Sequence, residues 1–429
     1  MSSQPEKGSL LPRLLVFLVI GLVIGSVVTY ASMSSSLNRV SELESTVSQL
    51  QQQIESLTKP TQYQIGATLP LTGELADVGV QWRTVVQMAL DDLNSEVSRY
   101  GIKANFSLVI QDDKTSATEA LTVVQTLAQA GVKVIIGPAA SSQVKAVKSF
   151  VDDNKIVIIS PSSTSPTLAI PNDYIFRTDG SDAGQAKALA SLVKSQDISK
   201  VIVFHRDDEY GIAFAEFFSR EFESLGGSAV DIKYASGQSD YASEVAQLSS
   251  KARQEGVQAI VIITFDTDGV NILNHASNDA FLSSLRWFSG EGIHGAKGLT
   301  EGAIPLFISK TNLLGTRPVF KENPLYLDFK ARYRAKVGSD PPVFSANLYD
   351  AVFLAGWSIL KAGSYDGQAI KNVLPEVAKK YYGASGLGVF DEAGDKAFQD
   401  YSIWTVKLVE GRYEYVDIGA YSGGTITWG

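Results

Sequence analysis

Cysteine is absent from this 429-residue chain, which excludes disulfides, thiolate metal sites, a catalytic thiol and a lipid-modified N-terminal cysteine. Histidine is scarce. Only His205, His275 and His294 occur, and with no H-E-x-x-H and no G-x-S-x-G the parts of a metal centre or a serine triad are missing. Positive charge is also in deficit. Lys and Arg number 37 against 46 Asp and Glu, for a net charge of -9, so the basic stripe that nucleic acid requires is lacking. The acidic residues at 112, 113, 207 to 209, 266 and 268 lack the spacing of a known cation loop. No metal and no cofactor is expected. With 45% hydrophobic residues, the chain has material for a large core and two domains of ordinary size.

One long apolar run is present. Leu14 to Ala31 carries no charge and follows Lys7 and Arg13, so it is just long enough to span a bilayer with the N-terminus inside. A retained anchor is the favoured reading over a signal peptide cleaved near "TYAS". Beyond it, Val40, Leu43, Val47, Leu50, Ile54 and Leu57 recur at spacings of three and four among Ser, Glu and Gln. That is a heptad seam, suited to a short stalk with weak self-association or to a lone amphipathic tether.

From Tyr63 onward, short apolar runs alternate with helical patterns, a βαβ signature. The runs "IGATLPL", "FSLVIQDD", "VKVIIGPAAS", "IVIISPSST", "KVIVFHRDDEYG", "AIVIITFDTDG" and "LRWFSGEG" are continuously apolar, as in parallel strands buried on both faces. "YSIWTVKLV" and "RYEYVDIGAY" around Glu410-Gly411 read as an antiparallel hairpin. The expected fold is α/β, two Rossmann-like lobes with parallel sheets joined by a multi-strand hinge. The expected divisions are 1–13 cytoplasmic, 14–31 anchor, 35–58 stalk, 62–181 with 312–380 as the first lobe, and 182–311 with 381–429 as the second.

In open parallel sheets ligands sit beyond the carboxyl ends of the strands, so the tails of these runs are the candidate site. Ser141 and Ser142 in "GPAASSQ" start a helix, where hydroxyls and free amides can hold a carboxylate. "SPSST" adds Ser162 and Thr164. Each alone is more simply an N-cap. Asp182, Tyr210 and Glu291 end other tails, and the simple readings of the first two are an N-cap and a buried wedge. "SGEGIHG" at 289–295 matches G-x-G-x-x-G. A phosphate turn would need a helix at once and an acid some 20 residues on, whereas "AKGLTEGAI" is a poor helix, position 310 is Lys, and Glu291 would repel phosphate. A carboxylate between glycines is better placed to pair with an ammonium group.

The ordered set "IGATLPLTGELADVGVQ", "VKVIIGPAASS", "IVIISPSSTSP", "IFRTDGSDAGQA", "VIVFHRDDEYG" and "GEG" resembles the class I extracytoplasmic substrate-binding proteins of ABC transporters, of the leucine/isoleucine/valine-binding type, from about Tyr63 to the C-terminus. The resemblance implies a non-enzymatic binder that closes on a small amino acid and delivers it to an ABC permease. It also implies that Ser141 and nearby amides hold a ligand carboxylate, that Ser162, Thr164 and Glu291 hold its ammonium, and that Asp182 and Tyr210 face the cleft. In the first loop, Val78 stands where many relatives have an aromatic, and Phe265 supplies a pocket aromatic, so urea, short amides and other small polar solutes remain alternatives. Similarity to archaeal members, which commonly use a transmembrane anchor, accounts for the missing lipid-anchor cysteine and places the binding domain outside the cell membrane. A membrane-anchored ligand sensor is a further alternative, and an NAD-dependent enzyme the weakest. Asn105-Phe106-Ser107 is a glycosylation sequon.

Overall fold

The computed structural model describes residues 11–320 and 322–429, so most of the expected cytoplasmic segment, 1–10, lies outside the described residues. The chain forms two compact units, divided between Thr61 and Gln62.

The first unit is one uninterrupted helix, Leu11–Thr58. It differs from the expected anchor and separate stalk, because nothing between 31 and 35 breaks helical hydrogen bonding: Ser32, Ser34, Ser35 and Ser36 turn their hydroxyls back onto carbonyls three or four residues earlier. Serine bonded in this way is tolerated in a helix. The helix ends just before Lys59-Pro60, where proline lacks the amide to continue it. Its N-terminal part is long and apolar enough to cross a membrane. Farther on, Val40, Leu43, Val47 and Leu50 are exposed along one seam.

The second unit carries two sheets. The first is built from β1 (Thr61–Leu69), β2 (Ala104–Asp112), β3 (Val134–Ile136), β4 (Val157–Ser160) and β5 (Ile175–Arg177), ordered β2-β1-β3-β4-β5. The second contains β6 (Lys200–Arg206), β7 (Ser228–Tyr234), β8 (Ala259–Ile263), β9 (Arg286–Ser289) and β10 (Leu314–Val319). A small hairpin, β11 (Tyr382–Gly383) and β12 (Gly386–Leu387), stands apart. Three more strands, β13 (Asp400–Val409), β14 (Arg412–Ser422) and β15 (Thr425–Trp428), complete the second sheet in the order β15-β14-β13-β10-β9-β8-β6-β7. β3, β4 and β5 pair in parallel, as do β6 to β10. Every residue of β3 and β8 is fully buried, which is why these strands are continuously apolar. β13 and β14 form the antiparallel hairpin, turned at Glu410 and Gly411, both at positive φ, a backbone that matches the twist of the strands.

Two boundaries differ from expectation. Residues 312–319 were expected in the first lobe, but β10 pairs with β9 and β13 and therefore belongs to the second sheet. The first lobe resumes at helix Pro324–Val337, whose Phe329 and Tyr333 enter its core. Similarly, the β11–β12 hairpin docks on the first lobe: Asp350 accepts hydrogen bonds from the Ala384 and Ser385 amides, at 2.9 and 2.7 Å. The second lobe resumes at β13. In both places contacts between distant segments decide membership, strand pairing at β10 and the Asp350 hydrogen bonds at the hairpin, and local apolarity encodes neither. Between the lobes the chain thus crosses near 178–182, between β10 and helix Pro324–Val337, and near 396–400. At the last crossing a buried Arg177–Asp395 ion pair ties β5 to the returning segment.

Candidate functional site

The carboxyl ends of both sheets converge on one cavity of about 50 Å³.

From the first lobe, helix Ser141–Asn154 opens directly after β3. Its cap is Ala140, whose amide is satisfied by Gln143 Oε1 at 2.9 Å, and Gln143 in turn donates to Asp113 at 2.7 Å. Because a glutamine does the capping, Ser141 is released from that duty. Its hydroxyl accepts from the Ser165 amide at 3.2 Å. Ser162 donates to the Ala139 carbonyl at 3.0 Å, and Thr164 donates to Asp182 Oδ2 at 2.7 Å. Ser141, Ser162 and Thr164 all line the cavity, whereas Ser142, one step farther along the helix, does not.

The second lobe supplies the acids. Asp182 begins helix Asp182–Lys194, but the N-cap is Ser181, which accepts from Ala183 N. The capping role is therefore not the reason for Asp182. It is fully buried behind Thr164, outside the cavity lining, and its Oδ1 has no partner. Glu291 follows β9, is 4% exposed, and has an unpartnered Oε2. Burial pushes Glu291 up to about 7, and burial together with repulsion from Glu291 pushes Asp182 up as well. Such carboxyls gain most from a cationic partner. Tyr210 is 3% exposed and stacked on Phe265 at 5.2 Å, with its hydroxyl facing the Glu291 carboxyl but outside hydrogen-bonding geometry. Both rings line the cavity with Glu291.

The glycines of "SGEGIHG" have a steric explanation. A Cβ at Gly292 would lie 2.3 Å from the Thr264 carbonyl oxygen and 3.0 Å from the Tyr210 hydroxyl, and one at Gly290 would lie 2.8 Å from Phe214. There is no room for a side chain at 290 or 292, so Glu291 stands alone between two positions that only glycine fits. No helix follows: a short 3-10 turn at Lys297–Thr300 comes first, and helix Ile304–Thr311 only later.

Several lining residues were missed in the sequence. Leu75, Val343, Phe344, Trp82, Asp266 and His294 border the cavity. Trp82 lies on an apolar helix face that reads as plain core, and its indole donates to the Val343 carbonyl at 3.2 Å. Phe344 has φ +62°, a left-handed backbone that is rare and costly for a bulky residue, and no local pattern announces it. Val78 lines the cavity where a larger side chain was the family expectation. Across the cleft, Glu74 of the first lobe pairs with Arg206 of the second at 2.6 Å, and Lys145 pairs with Glu209 at 2.6 Å. The Arg206 guanidinium also lies 3.7 Å from the centre of the Phe265 ring. The lobes are therefore clasped in a closed arrangement. Among the described residues no group of His, Cys, Asp and Glu is arranged to hold a metal ion.

Comparison with known proteins agrees with this fold. The chain is 25% identical, over 78% of its length and 87% of the relative's, to a protein of Pseudomonas aeruginosa named for binding leucine, isoleucine, valine, threonine and alanine. It is also 25% identical, over 87% of its length and 93% of the relative's, to an uncharacterized protein of Methanocaldococcus jannaschii. Among solved structures, a leucine-binding protein from Thermotoga maritima superposes with a TM-score of 0.69 at 24% identity, covering 82% of this chain and 97% of that one. An ABC transporter substrate-binding protein from Desulfitobacterium hafniense, in complex with Leu, gives 0.64 at 25% identity, covering 83% and 100%. The family model described as periplasmic binding protein matches residues 62–412, and the chain belongs to that family.

Proposed function

We propose that this protein is the extracytoplasmic solute-binding component of an ABC uptake system and that it closes its two lobes on a small amino acid. The observation that carries this reading is the asymmetry of one cavity: hydroxyls and a helix N-terminus on the first lobe, and on the second a buried Glu291 carboxylate with an unpartnered oxygen. A zwitterion answers both ends. Its carboxylate lies against Ser141 and the first amides of helix Ser141–Asn154, where a helix N-terminus favours negative charge. Its ammonium lies against Glu291, with Thr164, Ser162 and Asp182 supporting it. Tyr210 and Phe265 close the second-lobe wall. Binding favours the closed state because the ligand touches both lobes, which the open state does not allow.

The names of the relatives support an amino acid, and the family supports a permease as the partner and a binding domain outside the cytoplasm. Helix Leu11–Thr58 then serves as the membrane tether. The test is a thermal-shift screen of the protein in detergent against amino acids, short amides and urea, because a ligand that binds only the folded state raises Tm. An amino acid that raises Tm by several degrees is expected. A shift with urea or an amide and with no amino acid overturns the zwitterion assignment.

A further inference from the structure

The amino-acid reading leaves two polar atoms of the cavity unused. Asp266 opens helix Asp266–Ser277 immediately after Phe265, lines the cavity, and is 5% exposed, yet its Oδ2 has no hydrogen-bond partner. His294 also lines the cavity, its ring packed against Trp404 at 5.1 Å and Tyr415 at 4.6 Å, and its Nδ1 has no partner either. The helix does not claim Asp266: the capping carboxylate is Asp268, which accepts from the Phe265 amide at 2.9 Å. The nearby cation does not claim it either, because the Arg206 guanidinium is occupied by Glu74, Asp208 and Asp268. A purely apolar side chain in the cavity would leave Asp266 and His294 buried and unsatisfied, which weakens its binding.

We infer that the ligand is an amino acid whose side chain carries a hydrogen-bond donor, a hydroxyl, amide or amine, which Asp266 accepts in a cavity that His294 also lines. This rests on the amino-acid reading above and narrows it. The charge around the position agrees. Asp77 and Asp268 are the charged groups that act on Asp266, and with burial they hold its carboxyl well above the usual range. Its unpartnered oxygen can accept from a ligand donor, and a ligand ammonium would favour the ionised form. The remaining wall, Val78, Trp82 and Phe344, is apolar and suits the methylene part of such a side chain.

Isothermal titration of the full chain in detergent micelles with L-threonine, L-glutamine, L-lysine and L-leucine tests the inference without any variant. At least one of the first three should bind tenfold or more tightly than leucine. In Asp266→Ala, that preference over leucine should fall by tenfold or more; Asp266→Leu, which keeps the branching but has no hydrogen-bonding atom, serves if the alanine variant is unfolded by circular dichroism. Leucine binding more tightly than all three, or Asp266 variants weakening leucine and the preferred ligand alike, overturns this inference and leaves the amino-acid reading standing. Binding by none of the four, with urea or an amide bound instead, overturns both.

Discussion

On the first lobe, Ser141, Ser162 and Thr164 each have a hydrogen-bond partner within the protein. On the second, Glu291, Asp182 and Tyr210 each keep an unpartnered buried oxygen. The two walls of the cleft therefore contribute differently. The hydroxyl wall is preorganised and neutral, so it accepts a ligand with little rearrangement of its own. The carboxylate wall is unsatisfied until something arrives, so most of the discrimination between ligands should lie there. Substitutions, pH and changes at the rim can each test that division.

The largest effect belongs to Glu291→Gln. If Glu291 is the ammonium partner, truncating its charge should weaken amino-acid binding by about 2–5 kcal/mol, roughly 30- to 4,000-fold at 1.4 kcal/mol per decade, read by isothermal titration. Ser141→Ala, on the satisfied wall, should cost about 1 kcal/mol. Equal losses at the two positions would dissolve the contrast between the walls.

Proton linkage sharpens the same comparison. Glu291 has its ordinary value near 4.5 raised to about 7 by burial, and Asp179, in the groove adjoining the cavity, rises to about 7 for the same reason. A raised folded-state value means that the folded protein holds the proton more tightly than the unfolded chain. The associated stability is fully present below about 4.5 and is lost as pH rises through about 7, on the order of 3 kcal/mol for Glu291. Ligand-free protein should therefore show this loss in thermal melts between pH 5 and 8. A ligand ammonium favours the ionised carboxylate, so binding should release protons and tighten across the same interval. Titrations in buffers of different ionisation enthalpy measure the release, and proton uptake would contradict the pairing.

Gly292→Ala separates packing from charge. Its Cβ would meet the Thr264 carbonyl at 2.3 Å, and overpacking of this kind costs about 1–3 kcal/mol. A lowered Tm with a displaced Glu291, and hence weaker binding, is expected. An unchanged Tm would show that the loop yields easily and that the glycines have another purpose.

These residues also mark where the sequence is readable. The buried parallel strands declared themselves by continuous apolarity, and their polar tails delivered Ser141, Ser162, Thr164, Tyr210, Phe265 and Glu291 to one cavity because site residues in this architecture sit at strand ends. What stayed hidden depends on pairing across the chain. β10 carries no local mark of its lobe and is assigned only by its partners, β9 and β13. Trp82 and Phe344 reach the cavity through contact between segments more than 250 residues apart. Asp266 was visible as an acid after an apolar run, but nothing local distinguished it from Asp268, which caps the helix.

The smallest expected effect lies at the rim, where the lobes clasp. Lys145 is 65% exposed on its side chain, so its pair with Glu209 is screened by water, and exposed pairs contribute about 0–1 kcal/mol. Glu209 also receives the Thr167 hydroxyl, so it keeps a first-lobe partner when Lys145 is removed. The Glu74–Arg206 pair is drier, with side-chain exposures of 19% and 3%, and losing Glu74 takes one of three carboxylates from a buried guanidinium. Lys145→Ala should therefore leave ligand affinity within about fivefold of the parent, while Glu74→Gln should exceed it. Both would act through closure, so the loss should be similar for every ligand, in contrast to Glu291→Gln, which should spare a solute without an ammonium. A Lys145→Ala loss larger than that of Glu74→Gln would mean that the exposed rim, rather than the buried clasp, holds the lobes together.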